Sequence, residues 1–260
     1  MKLELKEIVF RYSDDKASCS LLDGLNLSVP SGKVTALVGS NGVGKTTLFN
    51  IISGFETRYE GSVLMDECDL RGLSPHERAN KGIGRLFQGS RLAGDLTLME
   101  NMMLAAGPGV EDHPLRLLFS PRTVRREEQK QRENAVQLLH SFFGESAQEY
   151  IDKADRPASE LSYGQQRLIA LVRLLMGQAE LLLLDEPTSG VNPVFVARMQ
   201  EIIRGLAASG KTVLMIEHNL GFVREVADEC AFLENGKITM KGPVRDVLEN
   251  ERVRNSYLGL

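Results

Sequence analysis

Three cysteines, at positions 19, 68 and 230, are all that the 260 residues contain. An odd number so widely spaced makes neither a disulfide framework nor a metal-ligand pattern, and reads as packing or surface thiols in a reduced compartment. No apolar run approaches the roughly 18 residues that span a bilayer, and the N-terminal stretch lacks the pattern of a secretory signal. The expectation is a chain with no membrane span of its own. Charge of one sign is lacking too: 31 basic against 35 acidic residues leave a net −4, with no basic cluster and no global pull toward nucleic acid. Neither an internal repeat nor a low-complexity tract occurs. What remains is an ordinary soluble composition at a length near the limit for one core, so one large domain carrying a sub-domain is expected.

The rest of the chain is organised around Gly39-Ser40-Asn41-Gly42-Val43-Gly44-Lys45-Thr46. It fits the phosphate-loop pattern of Gly, four residues, then Gly-Lys-Ser/Thr. The apolar run Lys33–Val38 ahead of it reads as a buried parallel strand. Thr46–Ser53 behind it reads as a helix closed by Gly54. Glycines let backbone N–H groups approach a triphosphate, and the helix adds its own free N–H groups and dipole. Lys45 can reach the β- and γ-phosphates, the Thr46 hydroxyl can sit on Mg²⁺, and Thr47 follows in the same turn.

In chain order, residues 2–10 and 20–29 read as strands joined by a polar turn at Ser13–Lys16. Tyr12 closes the first strand, either as a ring for adenine to stack on or as an ordinary strand-end aromatic. A short strand near Ser62–Met65 and a helix start at Ser74-Pro75 follow. Strand Ile83–Phe87 ends on Gln88. Thr97–Glu100 is a capping box for a helix to about Ala105. Residues 107–123 read as loop and 124–143 as a charged amphipathic helix. Ser162 opens a helix to about Met176, closed by Gly177. Leu181–Asp185 is an apolar strand ending in Asp185 and Glu186, followed by helix 194–208. Strand Thr212–Glu217 ends on His218, Asn219–Ala227 reads as helical, and Asn235-Gly236 turns a hairpin between Ala231–Leu233 and Lys237–Met240. A final short helix closes the chain.

Four polar signals thus sit at the carboxyl ends of expected parallel strands: the glycine loop, Gln88, Asp185-Glu186 and His218. Open parallel α/β sheets bind ligands at that edge. An unpaired Asp185 at the end of an apolar strand would be costly, and a Mg²⁺ shared with Thr46 satisfies it. Glu186 can orient and polarise an attacking water as general base. Gln88 can complete the Mg²⁺ or water shell. His218 can contact the γ-phosphate and hold the base. His76, His113 and His140 have no such setting and read as solvated.

Leu161-Ser162-Tyr163-Gly164-Gln165-Gln166, shortly before the Asp-Glu pair, resembles the signature motif of the ATP-binding-cassette ATPases. The resemblance runs from Tyr12 to His218. It implies an α/β, P-loop NTPase (RecA-like) core with an antiparallel β sub-sheet, formed by residues 1–88 and 178–260, and an inserted α-helical sub-domain at 89–177. It also implies a head-to-tail dimer, homo- or heterodimeric, with ATP and Mg²⁺ sandwiched between subunits. Ser162, Tyr163, Gly164 and Gln165 would then meet the partner's ATP, and Ser189, Gly190 and Asn192 form the loop after the Asp-Glu pair. A helix start at Ser162 offers N–H groups to an anion.

Tyr163 stands where the family often has Gly, and Asn192 where it often has Asp. Both variants, the Glu217-His218-Asn219 context and the Tyr257-Leu258-Gly259 ending look like the branch serving branched-chain and related amino acid importers. The resemblance then implies two transmembrane permease subunits, docked near residues 85–105 and coupled through Gly89–Leu98. For uptake it implies a solute-binding protein, and it implies residence on the cytoplasmic face of the inner membrane, with no nucleic acid partner. Rival readings are a lipid-export cassette, a cluster-assembly factor, a DNA-repair clamp or a non-hydrolysing module. The absence of heptads between Gln88 and Ser162 argues against the clamp, and Glu186 with His218 against the last.

Overall fold

The computed structural model describes residues 1–12, 19–89, 91–106 and 121–258; the polar turn at 13–16 and residues 107–120 of the expected loop lie outside them. The described chain divides into two compact units, Met1–Gln88 with Glu180–Ser189 and Val196–Leu260, and Gly89–Ala179 with Gly190–Phe195.

The first unit holds two sheets. In strand β1 (Leu3–Phe10) the alternation that buries Leu3 and Leu5 changes phase at Glu7, whose φ of 50° makes a bulge, so that Ile8 and Phe10 return to the core. Strand β1 pairs antiparallel with β2 (Leu22–Val29) and β4 (Glu60–Met65), and β5 (Cys68–Asp69) pairs antiparallel with β4, in the order β2-β1-β4-β5.

The second sheet contains β3 (Val34–Val38), β6 (Ile83–Leu86), β7 (Leu181–Asp185), β8 (Thr212–Ile216), β9 (Glu229–Glu234) and β10 (Lys237–Pro243). Its order is β10-β9-β3-β8-β7-β6, parallel from β9 to β6, with β10 antiparallel at the edge. Every residue of β3, β7 and β8 is buried, which is why each reads as a predominantly apolar run without alternation. Helix Lys45–Ser53 fills the core with Leu48, Phe49, Ile51 and Ile52, packed with Leu3, Leu25, Leu37, Leu183 and Leu233 from both sheets.

The second unit is helical: Leu98–Met103, Pro121–Phe143, Ala147–Ile151 and Tyr163–Val172. The buried Asn101 side chain binds the segment before it, donating to the carbonyls of Ala93 and Thr97 at 3.0 and 2.9 Å and accepting from Ala93 N at 2.8 Å. Among the described residues no helix is long and apolar enough to cross a membrane.

Several elements depart from expectation. The charged helix starts at Pro121 rather than 124, with proline in the first turn, where its missing N–H costs nothing. The Ser162 helix is α-helical only to Val172 and tightens to a 3₁₀ turn at Arg173–Leu175. One expected C-terminal helix is two, Val244–Leu248 and Glu251–Leu258. Strand β5 and helix Ala147–Ile151 were not anticipated, being too short, at two and five residues, for a period to repeat.

Candidate functional site

Strand β3 delivers the chain to Gly39, whose φ is 155° and where a Cβ would stand 2.3 Å from the carbonyl oxygen of Leu233. Only glycine lets the loop leave the sheet there. The loop ends at Gly44, with φ of 107°, as the N-cap of helix Lys45–Ser53. No side chain caps that helix, so its first-turn N–H groups remain available to an anion, augmented by the helix dipole. At the far end Gly54, with φ of 82°, donates its N–H to the carbonyls of Asn50 and Ile51.

Lys45 is buried, and its ammonium donates to the carbonyls of Gly39 and Ser40 at 2.8 and 2.7 Å. Burial lowers its pKa, opposed by the charges of Glu186 and Asp185. Asn41, Gly42, Gly44, Lys45, Thr46 and Thr47 line a cavity of about 210 Å³ together with Tyr12, Leu21, Glu186 and His218. Tyr12 is 73 % exposed, its ring edge-on to Phe10 and its hydroxyl 3.4 Å from Thr47 Oγ1. Ser40 is exposed, and Val43 packs partly buried against the core.

On the other wall, Glu186 Oε1 lies 3.0 Å from His218 Nε2, and Gln88 Nε2 donates to Glu186 Oε2 at 2.8 Å. Residues from three strand ends therefore meet on one carboxylate. The Glu186 backbone is left-handed, φ 46°.

Asp185 is 1 % exposed. Its Oδ2 accepts from Arg85 Nη2 at 3.3 Å, while Oδ1 has no hydrogen-bond partner. Burial raises the Asp185 pKa, against the opposing pull of Arg85. Arg85 is held in turn: Nη1 donates to Asn50 Oδ1 and Ser53 Oγ, both at 2.8 Å, and the guanidinium lies 4.4 Å from the centre of the Phe87 ring. A buried carboxylate oxygen without a donor, close behind a phosphate loop, fits a hard cation. Among the described residues no group of three or more His, Cys, Asp or Glu forms a metal cage. A few protein oxygens completed by phosphate and water is the pattern of Mg²⁺ rather than of Zn²⁺ or Ca²⁺.

The second unit presents Ser162 as N-cap of helix Tyr163–Val172, in a reciprocal box: Gln165 N donates to Ser162 Oγ at 3.3 Å and Ser162 N to Gln165 Oε1 at 2.9 Å. Gln165 Nε2 also donates to Glu149 Oε1 at 2.7 Å. A Cβ on Gly164 would fall 2.3 Å from Phe195 Cδ2, so this helix start packs directly on segment 190–195. The Tyr163 ring lies beside Gly190, with the Arg91 guanidinium 5.4 Å from its centre. Ser189 N donates to Glu186 O at 3.2 Å, and the exposed Asn192 accepts from Val194 N at 2.9 Å ahead of helix Pro193–Ala208.

Sequence reasoning missed Arg85, the left-handed Glu186 and the neighbours of Tyr163. Arg85 stands one residue from the apolar Leu86 in a short strand, and nothing in that spacing says its guanidinium reaches a carboxylate on the adjacent strand.

A family model described as ABC transporter matches residues 22–189. The high-affinity branched-chain amino acid transport ATP-binding protein BraF of Pseudomonas aeruginosa is 33 % identical over 99 % of this chain and 97 % of its own length. The probable branched-chain amino acid transport ATP-binding protein LivG of Methanocaldococcus jannaschii is 34 % identical over the same shares. Among solved structures, a nucleotide-free ATP-binding cassette from an ABC transporter superposes with a TM-score of 0.82 at 32 % identity, covering 100 % of both chains. A cassette in its ADP conformation gives the same TM-score of 0.82, identity of 32 % and coverage of 100 %.

Proposed function

This chain belongs to the ABC transporter family, and we propose that it is the ATP-hydrolysing subunit of an importer for branched-chain or related polar amino acids. It is an ATPase with the P-loop NTPase fold. The observation that carries the reading of the site is the meeting of Gln88, Glu186 and His218 over the cavity of the glycine loop. The naming of relatives that match almost end to end supports the choice of solute.

In this reading the loop amides, Lys45 and the first turn of its helix hold the β- and γ-phosphates, while Tyr12 offers its exposed ring to adenine. Thr46, Asp185 and Gln88 hold a Mg²⁺, which neutralises phosphate charge when bound. Glu186 orients a water and takes its proton; Gln88 and His218 fix both carboxylate oxygens of that base, and His218 reaches toward the γ-phosphate. Ser162–Gln165, with Ser189, Gly190 and Asn192, serve the ATP of a second copy or a related ATPase chain. Residues 89–177 act as the helical sub-domain that passes closure to two permease subunits at the inner membrane face, with a solute-binding protein delivering the cargo.

Uptake tests the proposal. Cells of the source organism lacking this chain take up less labelled leucine, isoleucine and valine; the parent chain restores uptake and Glu186→Gln does not. Unchanged uptake of all three would overturn the assignment of solute.

A further inference from the structure

Just beyond β8 the chain buries a carboxylate that the reading above leaves without a task. Glu217 is 2 % exposed, and among the described residues no basic side chain pairs with it. Four donors do. Its Oε1 accepts from Thr188 N at 2.9 Å and Thr188 Oγ1 at 2.7 Å. Its Oε2 accepts from His218 N at 3.1 Å and Asn219 N at 3.3 Å. Each oxygen therefore serves a different loop. One serves the turn after β7, two residues beyond Glu186; the other serves the first residues after β8, beginning at His218.

A planar carboxylate with both oxygens saturated holds its donors at a fixed spacing, and charge-assisted bonds of this kind are the stronger ones. The two backbone segments it joins carry the two ends of the Glu186–His218 contact, 3.0 Å long. The segment on the Glu186 side is also strained, with Glu186 at φ 46°. Such a conformation persists when its surroundings over-determine it, and the bond from Thr188 N is one of the constraints that do so.

We infer that Glu217 is a positioning residue that sets the geometry of the Glu186–His218 pair by clamping both loops on one carboxylate. The inference rests on the assignment of that pair to ATP hydrolysis, given above. Glu217 touches neither the cavity nor a phosphate site, so its action is on where the base and the imidazole stand rather than on nucleotide affinity.

The test uses the full chain with three variants. Glu217→Gln leaves one acceptor oxygen where two now take four donors. Thr188→Val removes one donor while keeping shape, and Thr188→Ser keeps both. The ¹⁵N signals of the His218 ring in nucleotide-free protein are read beside kcat and ATP affinity. The clamp predicts shifted His218 signals in Glu217→Gln and Thr188→Val, with kcat down on the order of 10- to 100-fold in the former and less in the latter. ATP affinity stays near the parent value, and Thr188→Ser keeps the parent signals. Parent turnover and parent His218 signals in Glu217→Gln would overturn it. Slowed turnover with unmoved His218 signals would too, since the loss would then not act through the position of His218. Where Glu217→Gln does not fold, unmoved signals in Thr188→Val overturn it. Failure of the base assignment is separate: Glu186→Gln would then hydrolyse ATP at the parent rate, while the ring signals, read without turnover, still decide the clamp.

Discussion

Glu186 combines two features that a strand-end carboxylate does not need for packing. Its backbone is left-handed, and both of its oxygens are engaged, one by Gln88 and one by His218. A left-handed non-glycine residue costs about 1–3 kcal/mol, which neighbouring structure must hold in place. The carboxylate pair at 185–186 was legible because an apolar run that stops at two acids is a strand reaching a polar edge. The split of roles, Asp185 toward Mg²⁺ and Glu186 as base, was also readable from the pair; the left-handed turn at Glu186 and the hold of Arg85 on Asp185 were not, since they depend on one backbone angle and on a strand distant in sequence. Tyr12 is the residue whose role a single substitution decides. Its ring is 73 % exposed beside Thr47 at the mouth of the cavity. Tyr12→Ala weakens ATP binding by about 1–3 kcal/mol if adenine stacks there. Equilibrium titration with a fluorescent ATP analogue checks this, and an unchanged affinity returns Tyr12 to an ordinary strand-end aromatic.

At the scale of elements, the helix after the glycine loop is fixed at both ends. Its N-terminus stays open to anions, and its C-terminus is met by Arg78, only 1 % exposed. The Arg78 guanidinium donates to the carbonyls of Ile51 at 2.6 Å, Ile52 at 2.9 Å, Leu70 at 2.8 Å and Leu73 at 3.0 Å. A cation on the last carbonyls of a helix also opposes the negative end of its dipole. Arg78→Met strips donors from four carbonyls, three of the bonds buried, and costs on the order of 3–5 kcal/mol. Thermal unfolding read by circular dichroism shows it as a fall in Tm of many degrees. Helix starts were the most legible elements, because Ser74, Thr97 and Ser162 each open a full capping box three residues before Glu or Gln. Nothing comparable marks Ala147–Ile151, whose N-cap Ser146 makes no side-chain bond. The role of Arg78 was hidden for the opposite reason: within Pro75–Asn80 it reads as a surface cation, and its burial depends on the end of a helix 25 residues earlier.

For the whole molecule, strands β3, β6, β7 and β8 lie as parallel neighbours in the order β3-β8-β7-β6, so the glycine loop, His218, the Asp-Glu pair and Gln88 all leave one edge of one sheet. That edge was legible without a structure, since apolar runs that end in polar residues and alternate with helices make a parallel sheet. The strand order was not, since an apolar run marks a strand but not its neighbours in the sheet. We propose that this edge hydrolyses ATP with Glu186 as base, in a dimer that nucleotide closes. The most direct measurement is Mg²⁺-ATP turnover by the purified chain and by Glu186→Gln, each also run through size exclusion in ATP. The expected result is turnover by the parent, none above background by the variant, retained ATP binding, and a variant that elutes as a dimer only when ATP is present. A Glu186→Gln chain that turned over ATP at the parent rate would contradict it.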